Sequence, residues 1–453
     1  MSDIRASNIR MIGFSLPALG LNALVTAVVV FLPALYAEHR GFGAAAVGLI
    51  FFLAKIVDMV AAPAWGVFMD SYSTRWGRRR PWLALSVPIL VLAILMLYNP
   101  PESVTALYLF GWLALLYFGW DAWSISHTSW ALELSRDYDR RSRITGLLQV
   151  LVMIGGILIS LVPAILERVA APTYPQLASA IGWFMIVVLP LTAIICLFSV
   201  PERETPDRPH PGFRRGAAIL FSNMALLRLL AVNALLTFST YFVQGLFVFF
   251  VSYTLDLGDR IGFILTFLII GGLLGLPVWL RLAQYWNKHR AMQTAVITGA
   301  LAPLTLLVLP SGYLGWAIAA FLVIGLNTSA NEFLPRAMMA DVCDLDHIES
   351  GSERMGLYYS LLQLSSKFAS GTGLLIGFSF LTVFGFDPEL GLNNSEEALN
   401  RLRYLVVALP VLAYAAVAAL LWRYPISRER QRQMRKLIEE RETLALGGAS
   451  DQR

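Results

Sequence analysis

The stretch Asp70-Ser71-Tyr72-Ser73-Thr74-Arg75-Trp76-Gly77-Arg78-Arg79-Arg80-Pro81-Trp82 separates two long apolar runs. Four arginines in six residues have no place in hydrocarbon, so this is a short loop pinned to one membrane face. The composition around it agrees. Apolar residues make up 57% of the chain and charged residues 14%, well below the quarter usual in soluble domains. Apolar runs long enough to cross a bilayer as helices recur along the chain. They predict twelve spans, near 12–36, 44–69, 82–98, 104–130, 144–166, 177–200, 226–255, 261–282, 291–309, 313–340, 355–384 and 402–422.

Basic residues orient these spans. With both termini in the cytoplasm, 27 of the 35 Lys and Arg residues fall on the inner face. Five (Arg40, Arg168, Arg260, Arg401 and Arg403) fall outside, and three (Lys55, Arg336 and Lys367) lie within spans. The net charge of +5 is therefore mostly topology. Spread along a membrane face rather than gathered in a patch, it offers no nucleic-acid site. The first apolar run is too long for a signal peptide, and no small-residue cleavage site follows it. Cys196 and Cys343, both in or at the ends of spans, imply neither disulfide nor metal. The expected location is a cell membrane (plasma or inner), multi-pass, with membrane lipids around it. A monomer is expected.

The prolines and charges of 201–212 forbid a membrane helix and mark a linker. The expected organisation is a six-helix half (1–200), a cytoplasmic linker (201–225), a second six-helix half (226–424) and a basic cytoplasmic tail (425–453). Within the tail, 425–446 reads as a surface helix. Gly271 and Gly275, and Gly373 and Gly377, have the four-residue spacing of close helix contacts. Pro33, Pro63, Pro277, Pro303 and Pro335 predict bends.

An ionisable group near the bilayer centre needs a partner or a water-filled cavity. Lys55 and Asp58 are three apart, so they share a helix face and can pair. The pair is either structural or a coupling site in which Asp58 takes a cation or proton. Glu332 and Arg336, four apart, form either a structural pair or a place where Glu332 meets the solute path. The fourth span reads Trp120-Asp121-Ala122-Trp123-Ser124-Ile125-Ser126-His127-Thr128-Ser129-Trp130. Its aromatic faces beside polar groups suit sugar rings, which makes Asp121, Trp123 and Trp130 candidates for a substrate cavity; the same belt could instead anchor the helix at the interface, though Trp120 and Trp123 lie too deep for that. His127 either titrates near neutrality or is structural. Asp341, Asp344 and Arg354, with Asp70, Arg75 and Arg136, lie at the basic rim. There they are expected to latch the halves together rather than touch solute.

Gly66 with Asp70 and the arginine loop resembles the loop between helices 2 and 3 of major facilitator transporters. Arg75-Trp76-Gly77-Arg78-Arg79-Arg80-Pro81-Trp82 resembles more narrowly the glycoside-pentoside-hexuronide:cation symporters, such as the melibiose permeases. Met338-Met339-Ala340-Asp341-Val342-Cys343-Asp344, then Arg354, then Lys367 resembles that family's second signature, an Ala-Asp-x-x-Asp turn ahead of a helix with a mid-membrane Lys. Trp130-Ala131-Leu132-Glu133-Leu134 resembles its fourth-helix ending. The resemblance implies an all-α membrane protein of twelve helices in two pseudo-symmetric halves. It also implies cation coupling through Lys55, Asp58 and Lys367. Melibiose permeases carry a second acid in helix 2 where this chain has Ala62, which tilts the expected coupling ion from Na+ towards H+. Their sugar-holding Asp, Asp and Arg in helices 1, 4 and 5 fall on Asn22, Ser126 and Gln149 in an ungapped reading. A polar neutral solute remains possible, but a galactoside held in the melibiose manner does not.

The expected function is cation-coupled symport of a sugar, glycoside or related small organic solute, with no cofactor besides the coupling ion. Lysophospholipid carriers share the family. They form the first alternative, for which the aromatic seventh span (Phe238, Tyr241, Phe242, Phe247, Phe249 and Phe250) leaves room. A non-transporting sensor or scaffold is the second, opposed by the buried charges. No nucleophile–base set, metal cluster or phosphate loop is present in the sequence, which argues against an enzyme and against ATP-driven pumping.

Overall fold

The computed structural model describes residues 2–72, 74–134, 138–200, 223–350 and 354–422. The expected linker, apart from its last residues, and the basic tail lie outside the described residues, as does Arg136; so does the side chain of Asp70. The described chain is helical throughout, and twelve helices account for the twelve expected spans.

In the first half, α1 is assembled from Ser2–Ser15, Pro17–Thr26, a π-helical turn at Ala27–Phe31 and Leu32–His39. It is followed by α2 (Ala44–Ser71), α3 (Arg80–Tyr98), α4 (Ala106–Glu133), α5 (Tyr138–Val169) and α6 (Tyr174–Ser199). In the second half, α7 (Met224–Phe249) ends in a π-helical turn at Phe250–Thr254, and α8 is Ile261–Tyr285. There α9 (Lys288–Leu301) runs into a 3-10 segment at Ala302–Leu307 that contains Pro303. The last three are α10 (Leu314–Ser350), α11 (Met355–Val383) and α12 (Glu396–Leu421). Ten spans pass a length-and-apolarity test among the described residues. Of the other two, α4 carries Asp121, His127 and four tryptophans, and α9 is 14 residues long before its 3-10 segment.

The packing pairs reveal a two-fold relation between the halves. Within the first half α1 packs on α5, α2 on α4 and α3 on α6. Within the second α7 packs on α11, α8 on α10 and α9 on α12. Adding six to each helix number maps one set onto the other. Between halves α2 meets α11 and α5 meets α8, two seams that the same operation exchanges. This is the parallel-repeat architecture of transporters that hold their solute between two halves.

Close approach depends on glycine at particular crossings. A Cβ on Gly275 of α8 would stand 2.1 Å from the Leu326 carbonyl oxygen of α10, and one on Gly271 would stand 2.3 Å from that of Leu322. Backbone cannot yield as a side-chain tip does. Gly275→Val is therefore expected to cost about 1–3 kcal/mol or more, read as a lowered thermal unfolding midpoint in detergent. Gly66→Ala, with nothing within 4 Å of the added methyl, serves as the near-neutral control. The turn that the resemblance implies at Asp341 and Asp344 is instead continuous helix, since α10 runs through Ser350.

Call the face bearing the Arg75–Arg80 loop the basic face and its opposite the far face. Toward the far face the halves touch closely. A Cβ on Gly48 of α2 would lie 2.8 Å from Phe378 Cβ of α11, and the π-helical turn of α1 packs on α7. The Leu32–His39 segment of α1 packs on a 3-10 segment at Pro388–Asn393, ahead of α12. The halves thus approach closely toward the far face.

Candidate functional site

Midway along the seam between α2 and α11, two lysines and two aspartates meet. Lys367 of α11 donates to Asp58 Oδ1 of α2 at 2.7 Å and to Asp121 Oδ1 of α4 at 2.9 Å. Lys55 Nζ lies 2.9 Å from Asp58 Oδ2, where the three-residue spacing predicts a pair. The same ammonium sits 4.2 Å over the centroid of the Tyr117 ring, a cation–π contact that helps hold it out of water. The formal charges cancel. Asp58 is fully buried at its side chain, whereas Lys367 keeps 23% exposure. The second oxygen of Asp121 is buried without a hydrogen-bond partner.

This cluster joins the two halves through charge, since α2 and α4 belong to the first half and α11 to the second. Buried charges are expensive when separated. Removing one member of such a set typically costs about 3–5 kcal/mol, so parting Lys367 from its two carboxylates is costly.

A small, partly open cavity adjoins the cluster. One wall is polar and aromatic, from Lys55, Tyr117, Trp120, Tyr241 and Ser370. The other is aliphatic, from Leu24, Val25, Val28, Val29 and Leu374. Val28 and Val29 lie in the π-helical turn of α1, a feature that often marks functional positions. Lys55 belongs to both the cavity and the charge cluster, so an occupant of the cavity touches a member of the cluster directly.

The residues expected at the substrate are distributed differently. Asp121 belongs to the charge cluster. Trp123, Ser126 and Trp130 are buried inside the first half, at 0%, 0% and 1% exposure, and do not line this cavity. Ser126 Oγ faces Met69 Sδ at 3.5 Å, and Trp130 meets Phe14 edge-on at 5.0 Å. The reason is helical phase: positions 123, 126, 127 and 130 form one stripe, turned into the core, whereas Tyr117, Trp120 and Asp121 form another, turned toward the seam. His127 lies on the buried stripe, its Nε2 2.9 Å from the Phe14 carbonyl oxygen, which is a structural role.

Asn22 is half-buried on α1, its amide against Gly156 of α5, and Gln149 is half-buried on α5. Neither lines the cavity. Glu332 is exposed on α10, within electrostatic reach of Tyr241. Among the described residues no ion pair within 4.0 Å joins it to Arg336. Of the lysolipid slot suggested by α7, four aromatics (Phe242, Phe247, Phe249 and Phe250) are core residues at 2% exposure or less, while Tyr241 faces the cavity.

At the basic rim Lys288 of α9 pairs with Asp341 of α10 at 2.6 Å, and Arg354 approaches Asp346 at 3.8 Å. Both pairs lie within the second half. Asp344 shares this rim on α10, and Arg75 extends beside Trp76 in its own exposed loop. Sequence reading missed two features of the site, Asp121 as a partner of Lys367 and Tyr117 beneath Lys55. The signal for both was the 117–120–121 stripe, which places them on one face of α4.

A family model described as MFS/sugar transport protein matches residues 13–428. The isoprimeverose transporter of Lactiplantibacillus pentosus is 25% identical over 428 residues, covering 92% of this chain and 88% of its own. The human sodium-dependent lysophosphatidylcholine symporter 1 is 22% identical over 446 residues, covering 89% and 80%. Among solved structures, a bacterial homologue of the human lysosomal transporter Spinster, inward-facing and unoccupied, superposes with a TM-score of 0.67. It is 15% identical and covers 95% of this chain and 98% of that one.

Proposed function

The chain belongs to the MFS/sugar transport protein family, and on that footing we propose that it is a proton-coupled symporter of a sugar or glycoside that works by alternating access. It is an integral multi-pass membrane protein whose twelve helices take the major facilitator fold. The observation that carries the reading is Lys367, held at once by Asp58 and Asp121 across the two halves, beside a cavity that shares Lys55 with them.

The positive-inside rule makes the basic face cytoplasmic, with both termini there. The far face, where the halves meet closely, is then the outer one. Lys367 occupies the position between two carboxylates that an external cation would take. In the empty carrier it serves as a tethered cation and lets the halves reorient. When a proton neutralises Asp58 or Asp121, the hold on Lys367 weakens, and solute in the cavity engages Lys55, Tyr117, Trp120 and Tyr241. The aromatic faces accept the C–H edges of a sugar ring, while the hydroxyl and ammonium groups bond to its oxygens. A proton suits this site better than sodium. The two carboxylates already have two ammonium partners, and Ala62 supplies no third acid to complete an oxygen cage.

Thermal unfolding of the purified protein tests the reading with monosaccharides, glycosides, uronic acids and lysophosphatidylcholine. Each is added in sodium or choline buffer at two pH values. A ligand at a hundred times its Kd stabilises the folded state by about 2.7 kcal/mol. A sugar or glycoside is expected to raise the midpoint, more so at the lower pH and equally in sodium and choline. Stabilisation by lysophosphatidylcholine alone would assign the chain to lipid transport instead, the reading that the 22% identical lysophosphatidylcholine symporters favour.

A further inference from the structure

The far-face seam between α5 and α8 contains a charged contact that the coupling cluster does not use. Glu167, near the end of α5, reaches into the second half, where its Oε1 accepts the Gly262 amide at 3.0 Å. This is one of the first amides of α8, which have no acceptor within their own helix. The N-cap residue of α8, Arg260, provides no side-chain cap. The carboxylate therefore does from the opposite half what a helix ordinarily does for itself, and it meets the positive end of the helix dipole.

Its neighbours complete the seam. A Cβ on Gly262 would stand 2.3 Å from the Ala164 amide nitrogen and 2.7 Å from Pro163 Cγ, so only glycine lets α8 come this near α5. The Thr266 hydroxyl donates to Ser160 Oγ at 2.9 Å. The Arg168 guanidinium lies 4.9 Å from the Phe263 ring centroid. The other oxygen of Glu167 is buried without a hydrogen-bond partner, so its hydrogen bonds described here all cross between the halves.

We infer that Glu167 is a detachable N-cap for α8, and that making and breaking this cap closes and opens the far face during transport. When the halves part on that side, α8 loses its cap to water, and that loss sets how rarely the outward-open state is visited. Gly262 is the contact that allows the cap to form. The inference rests on the alternating-access reading above, but its test requires no solute and so stands apart from the identity of the cargo.

The test places a reporter, Val25→Cys, on the cavity wall of a protein in which Cys196 and Cys343 are replaced by serine. A membrane-impermeant maleimide is applied from the far face of oriented membranes. Glu167→Ala is expected to raise the far-side labelling rate about tenfold or more, the shift expected when a charge-assisted hydrogen bond is lost. Glu167→Gln, which retains an oxygen acceptor, is expected to raise it less. Gly262→Val, which holds the seam apart, is expected to raise it too. Unchanged labelling from the basic face shows that each variant is folded. Parent-like far-side labelling in Glu167→Ala with raised labelling in Gly262→Val would overturn the role of the carboxylate. Parent-like labelling in both would overturn the seam as the far-side closure.

Discussion

Replacing Asp58 with asparagine is expected to abolish uphill accumulation of solute while leaving solute exchange across the membrane intact. The substitution changes almost no volume. It removes the carboxylate that faces both Lys55, at 2.9 Å, and Lys367, at 2.7 Å. Accumulation requires a group that carries a proton inward with the solute and returns empty, and an amide does neither. Exchange requires only the loaded carrier to reorient, with no return of the empty one. Counterflow in preloaded vesicles should therefore persist when net uptake against a gradient has fallen to equilibration. Loss of the carboxylate also leaves two lysines facing Asp121 alone, so a lower unfolding midpoint should accompany the phenotype. Retained exchange separates the two effects, because an unfolded carrier exchanges nothing. Accumulation at the parent level in Asp58→Asn would sink the coupling assignment.

The difference between what the sequence discloses about this molecule and what it conceals has a physical source. Hydrocarbon imposes a single rule on every spanning segment, so twelve spans are legible and most of their ends fall within a few residues, whereas α10 runs to Ser350 rather than 340 because its polar end has left the hydrocarbon. The basic residues, spread one-sidedly along the chain, orient them. Lys55, Asp58 and Lys367 are legible because charge in a membrane must be explained. What one-dimensional reading does not reveal is the azimuth of each helix. Trp123, Ser126 and Trp130 look like sugar-binding groups by residue type, yet helical phase turns them into the core and turns Asp121 toward Lys367. The Glu167 cap is hidden for a further reason. A carboxylate near the end of one apolar helix gives no sign that the amide it caps lies 95 residues later, in the other half. Glu332 and Arg336 illustrate the converse, since a spacing that allows an ion pair on one face does not require one.

The largest effect on cation preference is expected from Lys367→Met, which removes the tethered ammonium at nearly constant volume. Asp58 and Asp121 then keep Lys55 as their only counter-charge, and the cluster carries one net negative charge beside a cavity that water can enter. In choline buffer the variant is expected to be less stable than the parent by roughly 3–5 kcal/mol, the usual cost of stranding a buried charge. Hard carboxylate oxygens left without a partner bind a hard cation, so sodium should restore much of the loss. Acid should do the same, because a proton neutralises the stranded charge, and any group that binds protons more tightly in the folded state gains stability as pH falls. The parent, whose carboxylates already have their ammonium partners, should be indifferent to sodium. Unfolding midpoints in sodium and choline at matched ionic strength, at two pH values, measure all of this at once. Adding Asp58→Asn to Lys367→Met should erase the sodium effect, since the net charge that attracts the ion has gone. If sodium stabilises the parent as strongly as it stabilises Lys367→Met, then Lys367 is no substitute for an external cation, and sodium rather than the proton drives transport.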